Sequence, residues 1–349
     1  MDRPGPGVLA CMLVLVAMSG CSESGVQAET ELDRLFEPYA GPGMPGAALR
    51  VIRDGEPLLT RTWGLADVDA GTPIGAATNF RLASVTKQFT ATAIMLLVED
   101  GRLTLESTLT DLFPEYPAYG SGITVRHMLQ HRSGLLDYEP MVPDGSPQVH
   151  DDDVLRLMLA TDRTYFEPGS EYRYSNTGYA LLAMIVEASS GKSFDVFLRE
   201  RIFEPAGMSS TIAYREGQST VPNRAYGYRV TNGDVASSDQ SRWSAVWGDG
   251  GIYSSLDDLA RWYRATDRGA VLSAESAALM LTPALGNYGF GWWIDEYRGH
   301  RRHHHYGETS GFRNVVLRFP DERLTIILLT NRAEPDVYPL AERVADLIL

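Results

Sequence analysis

The chain has little cysteine, little positive charge and no long apolar run. Only two of its 349 residues are cysteines, Cys11 and Cys21, so a domain that begins after Cys21 contains no thiol. Disulfides, thiol catalysis and cysteine–zinc sites are therefore excluded from such a domain. The longest early apolar run, Val8 to Met18, is shorter than the roughly 18 residues that a membrane span needs. The formal net charge is -14, from 31 Lys and Arg against 45 Asp and Glu, and this argues against nucleic acid as a partner.

The apolar run belongs to an N-terminal targeting pattern. Ser19 and Gly20 follow it and directly precede Cys21, an order that resembles a bacterial lipoprotein signal. That resemblance implies removal of residues 1–20 and attachment of lipid to Cys21. An ordinary secretory signal is the alternative. The sequence thus predicts a signal peptide over 1–20, a tether over 21–31 and a folded domain over 32–349. The protein would be lipid-anchored in the bacterial envelope facing the periplasm, or else secreted.

Strand-like segments lie at both ends of the folded domain, and helical segments fill its middle. Asp54-Gly55 is a strong hairpin signal between two strand-like runs. Strands are predicted at 47–52, 58–63, 287–296, 314–319 and 324–330, and helices at 32–39, 84–99, 154–160, 177–188, 194–202 and 335–349. This order predicts an α/β fold of the α+β type, with an antiparallel sheet built from both chain ends and flanked by helices. The α/β lobe would cover about 32–95 and 285–349, with a helical lobe inserted at about 96–284.

Lysine is so scarce that its placement carries information. The chain has only Lys87 and Lys192, and arginine supplies nearly every other cation. A desolvated lysine can lose its proton, whereas arginine cannot. Lys87 follows Ser84 by three residues, so on a helix the two side chains project from one face. Ser84 is therefore a candidate nucleophile, with Lys87 to accept or relay its proton.

Ser-x-x-Lys by itself is a weak signal, because it also occurs by chance. It recurs at Ser189-Ser190-Gly191-Lys192, where Gly191 ends a helical segment and a solvated turn is the preferred interpretation. Three further features distinguish Ser84 from a helix cap beside a surface lysine. Tyr174-Ser175-Asn176 stands immediately before a helical segment, and His305-Tyr306-Gly307 stands at the entry to the final strands. The glycine-rich stretch that begins Gly248-Asp249-Gly250-Gly251 precedes the start of another helix.

The order and spacing of Ser-x-x-Lys, Tyr-x-Asn and His-x-Gly resemble those of the penicillin-recognising serine hydrolases. That family includes class C β-lactamases, DD-carboxypeptidases, D-aminopeptidases and related esterases, and its Ser-x-x-Lys signature carries the nucleophile. The resemblance covers about residues 32–349 and implies a β-lactamase-like fold. It implies that Ser84 becomes acylated, that Lys87 and Tyr174 share the role of base, and that Tyr174 protonates the leaving group.

The resemblance also implies roles for the residues around this centre. Asn176 would hydrogen-bond the substrate amide or hold Lys87 in place, while His305 and Gly307 would line the opposite strand and bind substrate, as would Glu308. The backbone N–H groups of Ser84 and Glu308 would form the oxyanion hole. We expect the Glu308 side chain to point away from that hole. The alternative is that Glu308 attracts an amine of the substrate.

One departure from the family pattern bears on the substrate. β-Lactamases of this family have Lys-Thr-Gly where this chain has His305-Tyr306-Gly307. A lysine there supplies a permanent cation, whereas a histidine of ordinary pKa is mostly neutral at pH 7. The difference favours a substrate less acidic than a β-lactam.

The predicted function is hydrolysis of an ester or a D-amino-acid-type amide or peptide through an acyl-enzyme. A β-lactamase or DD-carboxypeptidase, and a non-catalytic penicillin-binding sensor domain, remain as alternatives. The expected partner is a small-molecule or peptide substrate, and the protein is expected to be monomeric, without a cofactor.

The histidines do not predict a metal site. Of the run His303-His304-His305, at most the outer two share a strand face. His127 and His131 have helical i, i+4 spacing and could bridge zinc, but no third ligand is evident, so a structural pair is preferred. Asp151-Asp152-Asp153 precedes a helical segment and is assigned to its N-terminal dipole.

Overall fold

The computed structural model describes residues 31–349. The predicted signal peptide, the lipid attachment at Cys21 and nearly all of the tether lie outside the described residues and stay predictions. Within the described part of the chain, no helix is long and apolar enough to cross a membrane.

Thirteen strands and a set of mostly short helices make up the described chain. In chain order the strands are β1 (Ala47–Arg53), β2 (Glu56–Trp63), β3 (Leu65–Asp67), β4 (Thr72–Pro73), β5 (Phe80–Arg81), β6 (Ile212–Ala213), β7 (Tyr228–Thr231), β8 (Asp234–Ser237), β9 (Ile252–Ser254), β10 (Trp293–Tyr297), β11 (His300–Thr309), β12 (Phe312–Phe319) and β13 (Leu324–Thr330). The helices are α1 (31–36), α2 (Lys87–Glu99), α3 (Leu109–Leu112), α4 (Val125–Leu129), α5 (Asp151–Leu159), α6 (Asn176–Ser190), α7 (Phe194–Leu198), α8 (Glu204–Ala206), α9 (Trp247–Gly250), α10 (Leu256–Asp267), α11 (Ala274–Met280) and α12 (Tyr338–Ile348).

A six-stranded antiparallel sheet joins the two ends of the chain, as the sequence predicts. Its order is β10-β11-β12-β13-β1-β2, so β1 pairs directly with β13. The hairpin between β1 and β2 turns through Asp54 and Gly55 with φ of 54° and 79°, the left-handed pair that a type I′ turn requires. The predicted fold class is therefore confirmed.

Two apolar cores hold the sheet between helical layers. Alternate residues of β1 point to opposite faces, so Ala48 contributes to the core beneath the helical lobe and Leu49 to the core under α1 and α12. Helix α2 is buried along nearly its whole length in the first core. The active-site helix is thus surrounded by packed side chains, which hold its first turn rigidly.

Several predicted elements differ from the observed ones. The strand predicted at 287–296 begins only at Trp293, because the preceding residues turn: Gly291 has φ 78° and lies against the backbone of α2. The helix predicted at 84–99 begins as a 3-10 turn, Ala83–Thr86, and becomes α-helical at Lys87. The predicted pairing of His127 with His131 on one helix is wrong, since α4 ends at Leu129 and His131 is left-handed, with φ 55°.

Candidate active site

The 3-10 turn before α2 brings Ser84 and Lys87 together. In a 3-10 turn side chains three residues apart eclipse one another, which places Nζ of Lys87 3.0 Å from Oγ of Ser84. Ala83 enters the turn with φ 50°, a conformation that a non-glycine residue seldom adopts. Such strained backbone is typical of functional sites.

Lys87 is fully buried and its ammonium group is saturated with acceptors. Besides Ser84, Nζ donates to Oδ1 of Asn176 over 2.9 Å and to the carbonyl oxygen of Asp249 over 2.8 Å. Burial lowers the pKa of Lys87 to about 8, against the opposing charges of Asp249 and Glu139. A fraction of roughly one-tenth is then neutral at pH 7, which makes Lys87 an available base.

Asn176 is the first residue of α6 and connects the lysine to a carboxylate. The helix is capped by Ser175, whose hydroxyl accepts from the Gly178 N–H. While Oδ1 of Asn176 accepts from Lys87, its Nδ2 donates to Oε1 of Glu139 over 2.8 Å. The structure therefore shows Asn176 holding Lys87, the second of the two roles expected for it.

Two buried aspartates fix the turn that supplies the third acceptor. Asp249 lies in α9, and its carboxylate accepts from the Tyr138 hydroxyl over 3.0 Å. Asp151 accepts from the N–H groups of Trp247 and Gly248, at 2.8 and 3.0 Å. Asp151 thus anchors a neighbouring segment, which corrects its assignment to the helix dipole. Burial raises the pKa of Asp151 to about 7.

Tyr174 lies beside the nucleophile under an aromatic cover. Its hydroxyl is near enough to Ser84 for that side chain to lower the pKa of Tyr174 against the effect of burial. Its ring stacks on Trp293 with centroids 5.5 Å apart and planes 10° apart. Burial raises the pKa of Tyr174 well above its ordinary value. Tyr174 therefore stays protonated at neutral pH and is suited to donate a proton.

His305 does not present a free polar atom to the cleft, contrary to its expected contact with substrate. The residue is fully buried, with Nε2 2.9 Å from the Tyr288 hydroxyl and Nδ1 2.7 Å from the Tyr306 carbonyl oxygen. Because the carbonyl can only accept, Nδ1 carries the proton and Nε2 accepts from Tyr288. Burial and the charge of Lys87 hold the pKa of His305 well below its usual range, so this position supplies no cation.

Gly307 allows β11 to approach the nucleophile turn closely. A Cβ at this position would lie 2.1 Å from the Leu82 carbonyl oxygen and 3.1 Å from the Ser84 nitrogen. The absence of a side chain therefore brings the backbone of residues 307 and 308 against Ser84. The Glu308 side chain is exposed and pairs with Arg313 over 2.8 Å, as a residue pointing away from the oxyanion position should.

Two cavities meet at the ion pair between Glu308 and Arg313. A cleft of about 390 Å³ contains Ser84 and is also lined by Glu139 and Asn176. A larger cavity of about 580 Å³, lined by Trp293, Tyr306 and Tyr338, shares only the ion pair with it. Ser84 identifies the smaller cleft as the place of the chemistry.

The described residues contain no group of three histidine, cysteine, aspartate or glutamate side chains that could hold a metal ion. His127 instead accepts at Nδ1 from the Thr124 N–H. His303 has its pKa lowered to about 4 by burial and by Arg318 and Arg301.

Three residues of the site received no role in it from the sequence. Glu139 precedes a proline-rich loop, and nothing in its local sequence signals a contact with Asn176. Asp249 stands in a glycine-rich stretch, Gly248-Asp249-Gly250-Gly251, where a lone acid was a usable signal. Trp293 is one of a cluster of tryptophans that could line a cleft or pack in the core, with core packing as the default, and its stacking on Tyr174 assigns it to the site.

Comparison with known proteins places these observations in a family. A family model described as Beta-lactamase matches residues 32–349. The chain is 32% identical to Penicillin-binding protein 4* of Bacillus subtilis over 335 residues, covering 89% of this chain and 73% of that protein. It is 30% identical to a D-aminopeptidase of Gluconobacter oxydans over 306 residues, covering 84% of this chain but only 57% of the relative.

Solved structures show the same likeness. The D-amino acid amidase from Ochrobactrum anthropi SV3, complexed with L-phenylalanine amide, matches with a TM-score of 0.76 and 27% identity, over 92% of this chain and 97% of that one. The octameric penicillin-binding protein homologue from Pyrococcus abyssi matches with a TM-score of 0.80 and 25% identity, over 93% of this chain and 77% of that one.

Proposed function

Because this chain belongs to the Beta-lactamase family and is a serine hydrolase, we propose that it hydrolyses D-amino-acid amides or peptides, or related esters, through an acyl-enzyme on Ser84. The observation that carries the proposal is the 3.0 Å contact between Ser84 Oγ and the buried Lys87 Nζ. The names of two relatives, a D-aminopeptidase and a D-amino acid amidase, support the substrate class.

The protonation states assign the base and the acid. Neutral Lys87 takes the proton of Ser84 as Oγ attacks the carbonyl carbon, because its pKa of about 8 makes the neutral form accessible. Tyr174, still protonated, donates to the leaving nitrogen or oxygen, and the proton on Lys87 replaces the one it loses. The N–H groups of Ser84 and Glu308 stabilise the oxyanion, typically by about 3 kcal/mol per donor. Water then attacks the ester by the reverse sequence.

Glu139 is the proposed recognition group for a substrate amine. It lines the cleft beside Ser84, and its carboxylate accepts from the Asn176 amide rather than pairing with a described cation. Glu308, in contrast, is already paired with Arg313. A positively charged α-amino group would therefore be drawn to Glu139, at the end of the cleft nearest to Asn176.

The test is a substrate panel on the purified protein: D- and L-amino-acid amides, p-nitrophenyl esters, a D-Ala-D-Ala peptide and a chromogenic cephalosporin. We expect turnover of D-amino-acid amides and neutral esters, slow or no cephalosporin hydrolysis, and loss of all activity in Ser84→Ala. Full activity in Ser84→Ala would refute the scheme. A stable adduct on Ser84 without turnover, detected by mass spectrometry, would instead indicate a sensor domain.

Two variants separate amine recognition from catalysis. Glu139→Gln should weaken amine-bearing substrates more than neutral esters, while Glu308→Gln should affect both alike. A selective loss in Glu308→Gln, with none in Glu139→Gln, would assign the amine site to Glu308 instead.

We further propose that Cys21 carries lipid and that the enzyme works as an anchored monomer in the cell envelope. The support is the order of residues 8–21 alone. Cys21→Ser should move the protein from the membrane fraction to the soluble fraction and abolish labelling by radioactive palmitate. Light scattering of the detergent-solubilised protein tests the monomer, and an octamer would contradict it.

A further inference from the structure

His131 accepts two hydrogen bonds from the segment that carries Tyr174, residues 173–175. It is fully buried, two residues beyond the end of α4. Its carbonyl oxygen accepts from the Arg173 N–H over 2.9 Å, and its Nδ1 accepts from the Ser175 N–H over 3.1 Å. Tyr174 lies between the two tethered residues, with its ring centroid 4.2 Å from that of the imidazole.

We propose that His131 is a positioning residue that sets the Tyr174 hydroxyl against Ser84. The inference rests on the proposed role of Tyr174 as proton donor. A peptide segment held at the residues before and after the tyrosine fixes the direction of the Cα–Cβ bond of Tyr174, and the imidazole packed 4.2 Å from its ring restricts rotation away from Ser84. No other described side chain accepts a hydrogen bond from the backbone of residues 173–175.

The backbone conformation of His131 makes the double contact possible. Its φ of 55° is left-handed, a conformation in which asparagine, aspartate and histidine are enriched among non-glycine residues. The left-handed turn directs both the carbonyl oxygen and the ring of one residue toward the same neighbouring segment. A residue in the α-helical conformation would continue α4 and direct its carbonyl along the helix.

The hydrogen bond from Ser175 also determines the tautomer of the His131 ring. Because a backbone N–H donates to Nδ1, that nitrogen carries no proton, and the neutral ring holds its proton on Nε2. Nε2 is buried and has no hydrogen-bond partner among residues 31–349. Burial, together with the charge of Lys87, holds the pKa of His131 well below its usual range, so the acceptor is present at neutral pH.

Three variants test the proposal, each assayed with a substrate from the panel described above that the wild-type protein hydrolyses. His131→Leu removes the acceptor at similar volume, and we expect kcat to fall by about 10²-fold with little change in KM, as for a misplaced catalytic group. His131→Asn keeps an acceptor near the Nδ1 position and suits a left-handed φ, so it should retain most of the activity. His127→Leu is the matched control: it loses a similar N–H···Nδ1 contact, to Thr124, away from Tyr174, and should lower Tm without lowering kcat.

Wild-type kcat in His131→Leu, or equal losses in His131→Leu and His131→Asn, would overturn the proposal. If Tyr174→Phe is fully active, the role of Tyr174 in the proposed function is contradicted, and the inference about His131 fails with it. If Tyr174→Phe is inactive while His131→Leu is normal, only the present inference fails.

Should the leucine variant not fold, the ring itself provides the test. In ¹⁵N-histidine-labelled protein, the signal missing from His131→Asn identifies His131. A proton on Nε2 and none on Nδ1, unchanged across pH 5–8, is expected. A proton on Nδ1 would show that Ser175 does not donate to the ring, and would overturn the proposal.

Discussion

Glu139 reaches Lys87 through a single amide: its Oε1 accepts from Nδ2 of Asn176, whose Oδ1 accepts from the lysine. The negative charge of Glu139 also raises the pKa of Lys87 against the effect of burial. If neutral Lys87 is the base, activity must rise with pH through about 8.

Glu139→Gln should move that rise to lower pH. Glutamine keeps an oxygen to accept from Asn176 but removes the charge, so the ammonium form of Lys87 loses stabilisation and its pKa falls further. The pH profile of kcat/KM with a neutral ester measures the shift. Glu308→Gln, in the same cleft but paired with Arg313, is the control, and a shift of equal size there would contradict the assignment.

Gly307→Ala should inactivate the enzyme. The new Cβ would lie 2.1 Å from the Leu82 carbonyl oxygen, so β11 and the Ser84 turn must move apart and the oxyanion donors separate. We expect kcat to fall by about 10²-fold and Tm to drop. Gly75→Ala, where no atom lies within 4 Å of the new Cβ, should change neither, and a harmless Gly307→Ala would exclude the close approach.

Asp151 should make the protein less stable as pH rises. Its pKa is about 7 in the folded protein and about 3.9 when unfolded, so the folded state binds more protons between these values. The stabilisation from protonated Asp151 is fully present below pH 4 and is lost as pH rises through 7, by up to about 1.4 kcal/mol per pH unit.

Urea denaturation of wild type and Asp151→Asn at pH 4 to 8 measures that contribution. As pH rises, the free energy of unfolding of the wild type should fall relative to that of Asp151→Asn. A constant difference would show that Asp151 has an ordinary pKa.

Incubation with EDTA should leave hydrolysis unchanged, because the proposed chemistry uses only Ser84, Lys87, Tyr174 and backbone donors. Activity before and after chelation, and after adding Zn²⁺ back, measures this. Loss on chelation with recovery on zinc would contradict the serine mechanism.

The sequence predicted the parts of this site that depend on short-range order. The spacing of Ser84 and Lys87 and the turn at Asp54-Gly55 are local, and local geometry follows from residue type. The contacts of Glu139 and Trp293 join segments 37 and 119 residues away, at Asn176 and Tyr174 respectively, and no local pattern records them. The burial of His305 could not be predicted for a related reason, because it depends on Tyr288 and Trp293 packing over the ring.

The pairing of β1 with β13 sets the time at which this enzyme can begin to work. These strands are adjacent in the sheet, yet Ala47 pairs with Thr330, so the sheet cannot close until the ribosome has made the last strand. Contacts between such distant segments also form slowly. Gly307 and Glu308 lie on β11 of this sheet, so a nascent chain that does not yet contain β13 cannot complete the site around Ser84.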